Sequence, residues 1–194
     1  MVTGIGEIGR VGRVAVNAGT RTRRWAGAVV VAAGGLLVAS SFLVWFRMPD
    51  GNGGWGTLNG WGGVGGGSEA AGTNLNDAIA GYASYRPGLT ALILGVVAGI
   101  VGLCLLAVPG RPPRPHRITA VVIALLGVAG CGWGLWRLIA PDSLGIAEPD
   151  EARAGLGPWL TGLAGLILLG VAGLVLAGRI DPPAPLRSRG IQPR

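Results

Sequence analysis

The sequence predicts an all-α membrane protein, an up-down four-helix transmembrane bundle with a small extracytoplasmic cap, and three observations carry that prediction. First, half of the 194 residues are hydrophobic and only 13% are charged, with a mean hydropathy of +0.55. This excludes disorder for the chain as a whole, and two cysteines are too few for a disulfide scaffold. Second, four runs without Asp, Glu, Lys or Arg cover 25–46, 87–110, 119–136 and 154–178. As helices rising about 1.5 Å per residue they measure roughly 27–38 Å, which brackets the ~30 Å hydrocarbon core of a bilayer. Third, the charges lie between those runs and alternate in sign.

The chain therefore divides into a basic cytoplasmic tail (1–24), a first span (25–46), an extracytoplasmic Gly/Trp loop (47–86) and a second span (87–110). A cytoplasmic Pro/Arg turn (111–117), a third span (118–138), an acidic extracytoplasmic loop (139–156), a fourth span (157–178) and a cytoplasmic tail (179–194) follow. All 16 basic residues are arginine. The first tail, with Arg10, Arg13, Arg21, Arg23 and Arg24 against Glu7, carries +4; the turn with Arg111, Arg114 and Arg117 carries +3; the last tail carries +3. The two other connections carry −1 and −2. Basic segments stay in the cytoplasm, so both termini are expected there, in a multi-pass plasma-membrane protein. Topology thus explains the arginines and removes the reason to invoke nucleic acid, despite a pI near 11.2.

Span one also resembles a cleavable leader, with Thr22-Arg23-Arg24 before it and Ala39-Ser40-Ser41 within it. Signal h-regions run to about 15 residues, however, and Phe42-Leu43-Val44-Trp45-Phe46 continues past that site, which favours a retained span. Trp25 at the inner end and Trp45, Trp133, Trp136 and Trp159 near outer ends read as an aromatic belt.

In the first loop, Trp55-Gly56-Thr57-Leu58 and Trp61-Gly62-Gly63-Val64 flank Asn59-Gly60, which suits a weak type I′ hairpin. Thr73 is placed to cap a short interfacial helix with Leu75, Ala78, Ile79 and Tyr82 on one face. Pro109 to Arg117 reads as a stiff turn, and Glu148-Pro149-Asp150-Glu151 as a solvated loop without a Ca²⁺ ligand set.

The residues that could carry chemistry are sparse. Gly4-Ile5-Gly6-Glu7-Ile8-Gly9 fits G-x-G-x-x-G by letter, but a dinucleotide site needs a strand before it. Cys104 and Cys131 are read as packed small apolar residues, and His116 lacks visible partners. No span interior carries an ionisable group other than cysteine, which argues against a proton-coupled pump. We assign no catalytic, cofactor-binding or metal-binding residue and expect no enzyme activity. The spans instead carry small residues: Gly95, Gly99, Gly102, Gly130 and Gly134 are helix-packing candidates, with Gly35/Ala39 and Gly173/Ala177 repeating the theme. Trp55, Trp61 and Tyr82 are the outer-loop interaction candidates.

Phe42-Leu43-Val44-Trp45-Phe46 followed by Leu58-Asn59-Gly60-Trp61 resembles the small four-span membrane proteins of actinobacteria, a largely uncharacterised family. In that family an F-L-P-W-Y-like end precedes an S-G-W-like motif; here Val44 and Asn59 stand in place of the proline and serine. The resemblance implies a four-helix fold in the plasma membrane and no activity. The layout is also similar to claudins, but their paired loop cysteines are missing, so no barrier role is carried over. The expected function is that of a structural or accessory protein binding membrane lipid and other membrane or envelope components, or a second copy of itself. The alternative is a transporter or channel subunit for a hydrophobic solute.

Overall fold

The structure is a computed structural model and describes residues 5–50, 53–67, 69–80, 84–107, 114–141 and 151–177, with side chains from Thr22 onward in the first helix and from Arg117 onward in the fourth. The elements run α1 (Ile5–Ser40), β1 (Val44–Pro49), β2 (Trp55–Asn59), β3 (Val64–Gly66), α2 (Leu75–Ala78), α3 (Pro87–Ala107), α4 (Arg114–Ile139), β4 (Arg153–Ala154) and α5 (Leu156–Leu176). Among the described residues, four helical segments are long and apolar enough to cross a membrane: Thr22–Ser40 of α1, Pro87–Ala107, Arg117–Ile139 and Leu156–Leu176. Their large side chains turn outward, among them Ile93, Ile100, Leu125, Leu135 and Leu166. Soluble proteins rarely expose continuous apolar surface on that scale, whereas lipid is its natural solvent. The helices fit a multi-pass membrane protein.

Helix α1 packs on α3 and on α5, and α5 packs on α4, while α3 and α4 touch only lightly and the pairs α1–α4 and α3–α5 less still. The order across the bundle is therefore α3, α1, α5, α4. Val30, Leu37, Ala98, Ile123, Ala164 and Leu168 are buried at its centre.

Glycine sets how closely these helices approach. A Cβ on Gly34 would lie 2.8 Å from the Gly95 carbonyl oxygen and from the Gly99 nitrogen, and one on Gly95 2.7 Å from the Gly34 carbonyl oxygen. One heptad further, a Cβ on Gly102 would sit 3.0 Å from the Gly27 carbonyl oxygen. Toward the cap, Gly88 faces the carbonyl of Ser41 in the same way. The positions 27, 34 and 41 thus meet 102, 95 and 88, an antiparallel seam of period seven, which keeps one stripe of each helix against the other when the pair winds left-handedly. The α4–α5 pair repeats the device: a Cβ on Gly127 would lie 3.0 Å from the Gly165 oxygen and one on Gly134 2.8 Å from the Pro158 oxygen.

On the side reached by the C-terminal end of α1 sits a four-stranded antiparallel sheet in the order β3-β2-β1-β4. Its inner face packs Phe46, Leu58 and Tyr85 with Met48, Val64, Leu75 and Ile79. This ordered sheet is more than the weak hairpin expected in an all-α protein, and it corrects three local readings. Helix α1 ends at Ser40, although the apolar run continues to Phe46, and the remaining residues pass into β1. Sequence apolarity is the same for a buried strand and a lipid-facing helix, so the switch leaves no mark in hydropathy. The hairpin joins β2 to β3, but Asn59-Gly60 is not a type I′ turn: neither residue has positive φ, and Gly62 takes it instead at 83°. Gly62 N–H donates to the Asn59 carbonyl (3.1 Å) and Asn59 N–H to the Gly63 carbonyl (3.0 Å), the pattern of a three-residue loop closed by a glycine bulge. The short helix α2 is capped by Asn74, whose side chain accepts from Asn76 N–H, rather than by Thr73. Within α1, Ile5 to Gly9 are helical, so this part of the letter match to a dinucleotide motif forms no strand-to-helix turn.

Candidate functional site at the cap junction

The cap joins the helices through a small set of buried polar contacts. Helix α1 stops in a tight turn: Ser41, Phe42 and Leu43 N–H donate to the carbonyls of Val38, Ala39 and Ser40 (3.1, 3.1 and 3.3 Å). Such i to i−3 bonds satisfy carbonyls that a helix end leaves without partners. The Trp45 indole N–H donates to the Ser40 carbonyl at 2.8 Å, and the ring, only 2% exposed, fills the space between the helix ends. The Ser40 hydroxyl lies 2.7 Å from the Leu37 carbonyl and 2.9 Å from the Thr161 hydroxyl, which itself lies 2.9 Å from the Gly157 carbonyl. Each hydroxyl carries one proton, so one donates across to the other, and the one that accepts donates to the carbonyl of its own helix. These fully buried hydroxyls tie α1 to α5, and each has a hydrogen-bond partner, which keeps their burial inexpensive.

Two glycines make room for the indole. A Cβ on Gly157 would lie 2.5 Å from Trp45 Nε1, and one on Gly60 would lie 2.9 Å from the same atom and 2.9 Å from Gly88 Cα, besides striking the Ser41 carbonyl. Gly60 N–H donates to the Leu43 carbonyl (3.1 Å) and its own carbonyl accepts from Gly88 N–H (2.9 Å). Phe42 and Trp61 rings approach to 5.9 Å. The Phe42-to-Phe46 and Asn59-Gly60-Trp61 stretches, separate in sequence, thus form one contact.

Two asparagines, Asn59 and Asn76, hold the loop above this junction. Asn59 Oδ1 accepts from the Trp61 and Gly63 N–H groups, both at 2.9 Å. Asn76 donates to the carbonyls of Trp61 (2.9 Å) and Tyr85 (3.1 Å) and accepts from Tyr85 N–H (2.6 Å). A side-chain amide mimics a peptide group here and pairs with Tyr85 as a strand would. Further along, the Arg137 guanidinium lies 4.9 Å from the Trp133 ring and 5.9 Å from the Tyr85 ring. Trp133 donates to the Pro87 carbonyl at 3.2 Å, linking α4 to the start of α3.

The sheet's other face is open. Arg47 pairs in register with Thr57 on β2 and with Arg153 on β4. The Arg153 guanidinium lies 4.9 Å from the ring of Trp55, which is 41% exposed.

The interaction candidates separate accordingly. Trp55 lies on the open face, Trp61 is half-buried against Phe42, and Tyr82 lies outside the described residues. Of the packing candidates, Gly95 and Gly102 meet α1, while Gly134 and, more loosely, Gly130 meet α5; a Cβ on Gly99 would meet open space. Gly35 and Gly173 also point to open space. The aromatic belt divides too: Trp25 and Trp159 are 64% and 61% exposed, whereas Trp45 is an internal wedge. Cys131 is half-buried near the Gly162 carbonyl and Cys104 is exposed; both are free thiols, and Cys104 is not the packed residue expected. Sequence reasoning missed Asn76 and Thr161, whose one available signal was polarity beside or within apolar runs, and it read Ser40 only as part of a cleavage site and Gly60 as a turn and motif residue rather than as neighbours of the Trp45 indole. No protein-family model, curated protein or solved structure matches the chain.

Proposed function

We propose that the protein is a non-enzymatic accessory component of the plasma membrane that binds other membrane or envelope components through the open face of its cap. The observation that carries this reading is the division of labour within one sheet. The inner face is consumed by the Phe46–Leu58–Tyr85 core, while the outer face displays Arg47 and Arg153 on strands that adjoin α1 and α5, and Trp55 on the β2 strand paired with β1. Arginine and tryptophan are the residue types that anchor protein interfaces most often, and a firmly seated display lowers the entropy lost on binding. Cytoplasmic termini belong to the same proposal and rest on the alternation of basic and acidic connections. So does the resemblance to the actinobacterial four-span family, supported by the contact between its two motif stretches.

A photo-cross-linking residue at Trp55 or Thr57 of the full-length protein in cells should yield discrete adducts identifiable by mass spectrometry. The same residue at lipid-facing Ile93 serves as the reference; adducts at the cap no more abundant than at Ile93 would overturn the reading. For orientation, Ser68→Cys and Ser188→Cys in a background with both native cysteines replaced should differ. Ser68→Cys should react with an impermeant thiol reagent in intact cells and Ser188→Cys should not, and the reverse pattern sinks the assignment.

A second reading, a subunit handling a hydrophobic solute, is favoured by the slight contact between α3 and α4, which leaves one side of the bundle loosely closed. Solute-dependent flux in proteoliposomes containing only this protein would support it, and its absence across lipid-like solutes would count against it.

A further inference from the structure

At the end of the bundle away from the cap, the glycine seam between α1 and α3 closes at Gly27 and Gly102. Within the next turn the small residues give way to Arg24, Trp25 and Leu106, and an open groove of about 330 Å³ lies between them, with Ala28 as its fourth wall. We infer that this groove seats one anionic phospholipid, its phosphodiester headgroup on Arg24 and the upper part of an acyl chain against Ala28 and Leu106.

Three features select that occupant. The groove is at the small end of ligand pockets and is walled mainly by hydrocarbon, which suits a chain better than a hydrated ion. Trp25 stands beside it largely exposed, where an indole marks the headgroup level of a bilayer. The acids are one-sided: arginines lie at both ends, with Arg47, Arg86, Arg137 and Arg153 at the cap, but the described acids lie at one. The acidic groups with described side chains, Asp50, Glu69, Asp77 and Glu151, all belong to the cap or its connections, whereas Arg23, Arg24 and Arg117 occupy the opposite end. Arg23, on the same turn as Arg24, has its Nε buried without a hydrogen-bond partner among the described residues. Basic pockets between transmembrane helices recognise anionic headgroups by this combination of fixed cations and apolar walls. No cap residue takes part, so this site stands or falls independently of the cap's role.

The test is native mass spectrometry of the full-length protein released from nanodiscs holding equal amounts of phosphatidylglycerol and phosphatidylcholine. Wild type should retain phosphatidylglycerol in preference. Arg24→Gln should lower that retention about fivefold, the change corresponding to the ~1 kcal/mol that one basic side chain gains at an anionic surface. Arg24→Lys should keep most of the preference, and Arg47→Gln at the cap should leave it unchanged. Circular dichroism matching wild type shows that each variant has folded. Equal retention of the two lipids by wild type, or wild-type retention by folded Arg24→Gln, would overturn the inference. Displacement of the lipid by millimolar inorganic phosphate alone would also overturn it, because the site would then be an anion site without a seat for the acyl chain.

Discussion

The α1–α3 seam and the loop over the cap junction solve the same problem, holding two backbone segments together, by opposite means. In the seam the side chains are removed: Gly34 and Gly95 bring backbones within van der Waals contact. In the cap a side chain is supplied: Asn76 bridges Trp61 and Tyr85 with hydrogen bonds. The difference follows from the solvent each region faces. Among lipid tails there is no hydrophobic gain from bringing two helices together, so attraction must come from close contact over a long, smooth stripe. At the aqueous end water competes for every loop peptide, so the chain closes its own hydrogen bonds and adds a small aromatic core.

Substitutions can break this comparison in graded order. Gly95→Leu should be the most damaging, because its Cβ alone would lie 2.7 Å from the Gly34 carbonyl oxygen and 2.8 Å from the Val38 nitrogen, both backbone atoms. Overpacking costs about 1–3 kcal/mol and more where backbone is struck, so the bundle should lose its sharp unfolding transition in detergent. Trp45→Ala follows: removing a buried indole costs about 3–5 kcal/mol, read as a lowered midpoint, with Trp45→Phe recovering most of it. Asn76→Ala should cost about 1–3 kcal/mol by leaving the Tyr85 peptide short of partners, and faster amide exchange at Tyr85 should accompany it. Thr161→Val removes one interhelical hydroxyl contact, worth about 0.6 kcal/mol on average in membrane proteins. Gly99→Ala should be the mildest, within about 0.5 kcal/mol of wild type, since its Cβ enters open space. If Gly99→Ala proved as harmful as Gly95→Leu, the assignment of the seam to a period of seven would be wrong.

Much of the bundle was legible in the sequence because length and apolarity are local properties. Helices α3 and α5 match the second and fourth expected spans to within a few residues: α3 begins at Pro87, where a proline's missing N–H is harmless, and α5 covers 156–176. The packing glycines were legible as a class but not as pairs. Gly95 and Gly99 look like partners at a spacing of four, yet Gly95 works with Gly102, because antiparallel helices that wind left-handedly return to contact every seven residues. The cap was least legible. Its positive-φ glycine is Gly62 rather than either residue of Asn59-Gly60, and its helix cap is Asn74 rather than the equally eligible Thr73. Local preferences permit each of these choices, and only the docking of the loop on Tyr85 and Gly88 selects between them.

Composition and patterning by themselves determined that the chain makes four helices suited to a bilayer and that charge gathers in the connections. Hydrophobic transfer depends on how much apolar surface a segment carries, which any stretch of sequence declares. Tertiary structure alone decided that Phe42 to Phe46 leave the helix, that Trp45 turns inward between Gly60 and Gly157, and that Arg47 comes to lie beside Arg153. These are pairings between residues far apart in the chain. Their energies depend on which backbone is already there to be met, and no local stretch of sequence contains that information.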